Sequence, residues 1–415
     1  MGGKVERLCE RFGEVVGSGP GRVVQLGAAM TALAVDVVTE YCYDDCFDTL
    51  EKVEFAAEWK RIINALLEGI PMIRCFPMLM TVMQALPVGV VARMAPLLEP
   101  FLRLKGAIDK RSESAWREYY HEGGMDGKAT LEGGRPRGVF RGLLQSDLPP
   151  AEKAVERVSD EAVSLRLGTF SRLVSFLKDC VANHDVQHFL FMAGSETTAR
   201  VLTVTIVHTL SDTTLLARLR TDLAPVFAAS RGTLPSCRQL ESIPLLKATI
   251  QEGLRMASTI TNRGTLIARE EDLICQGVVI PRGVSSSIGM IYREPEVLIP
   301  TQTHISMTQK DIHFDPFIFP EPHVFRPDRW LEAESSGRRL DHYLVAWSQG
   351  SRSCLGINLA YAEMYLCVAA LIMRFDLSLF DFDYERDLKT VRDAFLGASG
   401  RSAREIRVVV ERWKP

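Results

Sequence analysis

A chain of 415 residues with 47% apolar content can bury a large core, and its composition reads as one helix-rich domain over 1–415. A formal net charge of −3 provides no basic field and excludes a nucleic-acid binder that works through charge. Nine scattered cysteines without CxxC pairs argue for reduced thiols on the cytosolic side, and none of the eight histidines stands at zinc-ligand spacing with them.

Along the chain, no run of about 18 apolar residues free of charge occurs near Met1. The stretch from Ile62 to Leu104 is apolar but broken by prolines and arginines, and a buried helical pair accounts for it. Residues Glu122 to Arg141, rich in glycine and charge, read as a surface loop. The segment Phe191-Met-Ala193-Gly194-Ser195-Glu196-Thr197-Thr198 lies in a long apolar stretch predicted as helix to about Leu210. Glycine inside a helix costs about 1 kcal/mol relative to alanine, so Gly194 predicts something packed against the backbone. An acid beside a hydroxyl in an apolar helix is costly unless partnered. Glu196 and Thr197 could hand protons to a ligand lying over Ala193 and Gly194. The plain alternative is a solvated glutamate followed by threonines bonding back to the preceding turn.

Glu252-Gly-Leu-Arg255 places opposite charges on one helix face, a commonplace pair when exposed. Phe325-Arg-Pro327-Asp-Arg329-Trp330 is a proline-rich loop in need of internal anchors, where Arg329 could complete a network with Glu252 and Arg255. Then comes Trp347-Ser-Gln-Gly350-Ser-Arg352-Ser-Cys354-Leu-Gly356, followed at once by the apolar run Ile357 to Phe375. A thiolate at the mouth of a helix is stabilised by free backbone N–H groups and the positive end of the dipole. Gly350 and Gly356 permit close approach of a flat ligand, and Arg352 offers a fork for a carboxylate. Together these describe a haem held through sulfur. A buried cysteine ahead of a core helix is the bland alternative.

The order and spacing of these four segments resemble the cytochrome P-450 family across nearly the whole chain. The cysteine segment matches the family signature aromatic-x-x-Gly-x-Arg-x-Cys-x-Gly, with Trp347 where phenylalanine is usual. Phrases such as Asp44-Asp-Cys-Phe47, Leu148-Pro-Pro-Ala-Glu-Lys153 and Cys354-Leu-Gly-Ile-Asn-Leu-Ala-Tyr-Ala-Glu363 are similar to fungal members of secondary metabolism. The resemblance implies a mainly α fold with small β-sheets and haem b as cofactor. Cys354 would be the axial thiolate, which favours O–O cleavage. Glu196 and Thr197 would deliver protons to dioxygen at the iron. Arg352 and Arg263 would bind haem propionates, with Trp347, Gly350, Gly356, Ala193 and Gly194 around the cofactor. Glu252, Arg255 and Arg329 would form a structural network, and Met290 and the residues around Ile260 would line the substrate pocket.

The implied activity is insertion of one atom of O₂ into a small lipophilic metabolite, a terpenoid or polyketide intermediate. Electrons would come from a separate NADPH-cytochrome P-450 reductase, on the cytosolic face of the endoplasmic reticulum membrane. The stretch Ile62 to Leu104 would contain the family's substrate-access helices, which can rest on the membrane surface. Two alternatives stand beside it, a non-catalytic or misfolded relic and a haem-thiolate isomerase or dehydratase. By resemblance, Met1 falls inside the fold, with the anchor, first sheet strands and early helices, roughly a hundred residues, expected upstream. Two segments, 163–187 and 284–302, fit the family poorly. Each begins with Val-Ser and ends with Gln, as a retained short intron would encode. Real insertions are the alternative, since long loops are tolerated.

Overall fold

The helix Leu26–Tyr43 (α2) is apolar on every side, and such a helix must be covered all round. Residues 26–39 are accordingly buried throughout. The structure, a computed structural model, describes residues 1–17, 22–43, 46–75, 185–262, 266–267, 272–275, 278–280, 285–286, 308–350 and 353–413. Within them, α2 finds its largest cover in the helix Asp185–Ser211 (α4).

The only charged group inside α2's buried stretch is Asp36, and it is fully engaged. Its carboxylate accepts from Thr49 N at 2.8 Å, Thr49 Oγ1 at 2.7 Å and Leu50 N at 3.0 Å, which caps the turn Thr49–Glu51. The amphipathic helix Gly2–Gly17 (α1) lays Val5, Leu8 and Phe12 on the core. The helix Ala57–Cys75 (α3) buries Ile63 and Leu67.

Helix Thr213–Ala229 (α5) starts at Asp212, whose side chain accepts from Thr214 N and Leu215 N. After the short helix Cys237–Glu241 (α6), Pro244–Met256 (α7) opens with proline in its first turn, where the missing N–H costs nothing. Here α7 and α4 touch closely: a Cβ added to Gly253 would sit 1.9 Å from Thr205 Oγ1. The buried hydroxyls of Thr203, Thr205 and Thr209 on α4 donate to carbonyls four residues back, so they need no distant partner.

Helices Gln309–His313 (α8) and Asp328–Ser335 (α9) flank the proline-rich loop. The helix Ile357–Arg374 (α10) then crosses the core. Arg374 at its end pairs with Glu6 of α1, and Phe12 packs on Phe375 with ring centroids 5.6 Å apart. The chain continues into the strand Phe375–Phe380 (β6), antiparallel to Arg407–Trp413 (β9), whose other edge takes Val23–Gln25 (β1) with Val24 opposite Val408. Leu266–Ile267 (β2) pairs with Ser285–Ser286 (β5), Leu273–Cys275 (β3) with Val278–Ile280 (β4), and Arg392–Ala394 (β7) with Leu396–Ala398 (β8). The fold is mainly helical with small antiparallel sheets.

Among the described residues α10 alone is long and apolar enough to cross a membrane by length and composition. Its stretch from Glu363 to Ile372 is buried against the other helices, which accounts for its apolarity. Glu363 is 2% exposed, its Oε1 has no partner among the described residues, and burial pushes its pKa up to about 8. The unfolded chain therefore ionises this group long before the folded one, and each pH unit between about 4.5 and 8 costs the fold at most 1.36 kcal/mol. Glu363→Gln is expected to gain stability on the parent steadily as pH rises through that window and to gain no more above it. Urea midpoints of both proteins from pH 5 to 9 check this, and parallel curves would refute it.

The helix expected to reach about Leu210 ends at Ser211. Of the segment 163–187, residues 185–187 belong to α4 and the rest lies outside the described residues. Of 284–302, Ser285 and Ser286 form β5, and the rest lies outside them too. So do 76–104, the loop Glu122–Arg141 and the phrase Leu148–Lys153.

Candidate active site

The third and fourth turns of α4 divide their residues between two sides. Ala193 is exposed and Thr197 partly so, and spacing of four puts them on one face. Ser195, Glu196 and Thr198 are buried. The close packing expected at Gly194 is found, yet its partner is protein: an added Cβ would lie 2.7 Å from Val38 Cγ2 on α2. Gly194 thus serves the α2–α4 contact in the direction a Cβ would take, while the residue itself stays partly exposed. Ala193 is the more open of the two small residues.

Glu196 is likewise turned into the protein, where Oε2 accepts from Thr31 Oγ1 of α2 at 3.1 Å. Burial pushes its pKa up, against the opposing pull of Lys60 and the Thr31 hydrogen bond. A buried carboxyl so placed tends to hold its proton. Thr197 Oγ1 donates to the Ala193 carbonyl at 2.6 Å, the back-bond of a helix threonine. The acid and the alcohol are neighbours in sequence but do not share a face.

Cys354 comes from a loop pinned at both ends. Its N–H donates to the Trp347 carbonyl at 2.8 Å, and the Trp347 indole N–H donates to the Tyr361 hydroxyl on α10 at 3.1 Å. Gly350 has φ +78°, a left-handed turn that glycine adopts without strain. Gly356 stands at the start of α10 and supplies no side-chain cap, so the positive end of that helix is open beside the cysteine. Cys354 itself is exposed. The bland alternative of a buried core cysteine describes Cys9 and Cys367 instead, 1% and 0% exposed. Partial desolvation nonetheless raises the Cys354 thiol above its ordinary value, while the Gly356 N–H pulls the other way. The helix end alone does not bring this thiol below its ordinary value.

Whether a haem fits can be judged from the space around the sulfur. A Cβ added to Gly350 meets nothing within 4 Å, and one added to Gly356 meets only Cys354 Sγ, at 3.9 Å. An exposed soft donor flanked by two bare stretches of backbone suits a flat iron-bearing group. Arg352, Arg263 and Met290 lie outside the described residues.

Behind the loop, Glu252 gathers five donors. Arg255 reaches it through Nε at 2.9 Å and Nη2 at 2.8 Å, Arg329 Nε at 3.1 Å, Trp330 Nε1 at 2.9 Å and the Arg326 backbone N–H at 2.9 Å. Glu252, Arg255, Arg329 and Trp330 are all buried. The leftover guanidinium N–H groups go to backbone carbonyls of α8 and the loop after it: Arg255 to His313 and Pro322, Arg329 to Pro320 and Val324. The network therefore ties α7 to the proline-rich loop and to α9, the helix on which Arg329 and Trp330, expected in the loop, are found. Trp330 and Thr31 were missed in reading the residues. Trp330 sat inside a motif already singled out, whereas nothing local marks Thr31 as the partner of a residue 165 positions away.

The fold is mainly helical, with an exposed cysteine at the uncapped start of α10, a helix that packs on α4. The family model for cytochrome P450 matches residues 184–297 and 290–391. Cytochrome P450 monooxygenase MO6277 of Ascocoryne sarcoides is 31% identical over 414 residues, covering 98% of this chain and 70% of the relative. Conidiogenone synthase PchP450 of Penicillium rubens is 30% identical over 410 residues, 99% of this chain and 70% of that protein. N-acetyltryptophan 6-hydroxylase ivoC of Emericella nidulans is 31% identical over 408 residues, 94% and 66%. The chain belongs to the cytochrome P450 family, whose members are haem-thiolate monooxygenases, and sides with its fungal secondary-metabolism members.

Proposed function

We propose that Cys354 is the axial ligand of haem b and that the protein oxygenates a small lipophilic intermediate of terpenoid or polyketide type. The observation that carries this is the exposed thiol of Cys354 between the bare backbones of Gly350 and Gly356, at the uncapped start of α10. Bound there, the haem supplies activation of dioxygen, helped by the electron density of its thiolate. The protein's own residues do the rest. The hydrogen bond from Cys354 N–H to the Trp347 carbonyl holds the sulfur in place, and α10 packs on α4, which carries the exposed Ala193 and the partly exposed Thr197. Thr197 places its hydroxyl oxygen on that open face, its proton resting on the Ala193 carbonyl. Glu196, held towards its neutral form by burial, is the acid at the adjoining position. Relatives named as monooxygenases and hydroxylases support oxygenation over isomerisation or dehydration. Electrons would come from a separate NADPH-dependent P450 reductase at the cytosolic face of the endoplasmic reticulum, with Arg352 and Arg263 as propionate partners.

The test is reconstitution of the protein with haem and a fungal reductase. A reduced, CO-bound difference spectrum with the red-shifted Soret band of thiolate ligation is expected, and failure to take up haem would overturn the proposal in favour of a relic. Thr197→Ala is expected to keep that band while raising the hydrogen peroxide released per NADPH consumed, because general acid–base groups of this kind contribute factors of about 10²–10⁴. Unchanged coupling would remove Thr197 from proton delivery.

A further inference from the structure

Helix α8 carries two side chains, one turn apart, that grip the same short stretch of backbone. His313 Nε2 accepts the Val345 N–H at 3.0 Å, and Gln309 Nε2 donates to the Ala346 carbonyl at 3.3 Å. Positions i and i+4 of a helix share a face, so one acceptor and one donor meet an N–H and a C=O of adjacent residues. The stretch they grip is the single 3₁₀ turn Val345–Trp347. The first N–H of such a turn has no partner inside it, and His313 supplies one. The same turn ends at Trp347, whose carbonyl holds the Cys354 N–H at 2.8 Å.

From the other side α8 is itself anchored. The His313 carbonyl accepts Arg255 Nη1 at 2.7 Å, and Arg255 is locked to Glu252. His313 is 2% exposed, with its ring edge-on to Phe319. The start of α8 is set by a reciprocal cap, Thr308 with Asp311. A continuous series of hydrogen bonds thus runs from the Glu252 carboxylate through Arg255, the His313 carbonyl and imidazole, the Val345–Trp347 turn and the Trp347 carbonyl to the backbone of Cys354.

We propose that Gln309 and His313 form a two-point clamp that fixes the cysteine loop, so that the buried Glu252–Arg255 network sets the position of the sulfur. Both are positioning residues that act through backbone, and the proposal rests on the assignment of Cys354 as haem ligand. Their role differs from plain packing because each could be replaced by a residue of similar volume that lacks the hydrogen bond.

The experiment compares Gln309→Ala, His313→Phe and His313→Gln with the parent. Phenylalanine fills the ring's space without an acceptor, and glutamine returns an acceptor near the place of Nε2. In each protein, amide hydrogen exchange is followed at Val345 and Cys354, and in the haem-loaded forms the lifetime of the thiolate CO band is recorded. Loss of one hydrogen bond is expected to speed exchange at Val345 and Cys354 between about 2- and 10-fold. The thiolate band should decay faster into the form lacking thiolate ligation in His313→Phe and Gln309→Ala, and return towards the parent in His313→Gln. Should His313→Phe fail to fold, Gln309→Ala decides alone, since it removes a partly exposed amide. Unchanged exchange at Cys354, or glutamine behaving as badly as phenylalanine, overturns the clamp. A thiolate band that persists in Cys354→Ala would overturn the ligand assignment instead, whatever the exchange rates show.

Discussion

Replacing Glu252 by alanine is expected to remove a large share of the stability of the fold. The carboxylate takes five hydrogen bonds, three of them from two buried guanidinium groups. Taking it away strands those cations in a place where water does not reach. Breaking a buried pair by removing one partner costs about 3–5 kcal/mol, and a whole domain commonly has only about 5–15 kcal/mol in hand. Glu252→Gln should fare little better, since an amide nitrogen would face a guanidinium. The contrast is Arg218→Ala, which removes an ion pair with Asp328 of 2.7 Å between side chains 44% and 39% exposed. Exposed pairs are worth about 0–1 kcal/mol, so that variant should unfold almost with the parent. Thermal and urea unfolding of the three variants decides the matter. A Glu252→Ala protein as stable as Arg218→Ala would show that the network is dispensable.

Cys354→Ala is expected to do the opposite, sparing the fold and removing the chemistry. The side chain is exposed, and surface substitutions away from packed groups usually shift stability by no more than about 0.5 kcal/mol. Yet no other described cysteine combines exposure with a place between bare glycine backbones. Cys9, Cys42 and Cys367 are buried, and burial raises each of their pKa values, to about 12 for Cys9 and about 11 for Cys42. They are poor candidates to take over as thiolate. Loss of the red-shifted CO band with an unchanged unfolding curve is the expected outcome. A band that survives would move the ligand elsewhere, and a protein that no longer folds would mean that the loop matters to the core.

These two residues also show why some features were legible early. The cysteine loop is local: thiol, flanking glycines and following helix all lie within a few residues, so their spacing alone suggested a ligand. The Glu252–Arg255 pair was visible at helical spacing, but an exposed pair and a buried one look alike in a string of letters. Burial and the arrival of Arg329 and Trp330 from about 77 positions away separate the two, and that is a matter of packing.

The stretch around Gly194 shows the opposite limit. A glycine in a helix correctly implied close approach, but its partner could have been a ligand or another helix. Val38 of α2 is that partner, because α2 is apolar all round and must be covered. Once α2 occupies that side, Glu196 points to Thr31, while Ala193 and Thr197 stay on the more open face.

By itself the sequence determined the chemistry offered: a cysteine at a helix start, bare backbone around it, an acid and an alcohol on a long apolar helix, and a mainly α protein. Those properties depend on residue type and short spacing, which the chain carries wherever it folds. The tertiary structure decided which groups face one another. It turned Glu196 inward and Thr197 outward, buried the Glu252 network and brought α8 against the turn that holds Cys354. Such pairings join residues far apart in the chain, and what selects them is the burial of apolar faces, which no local spacing records.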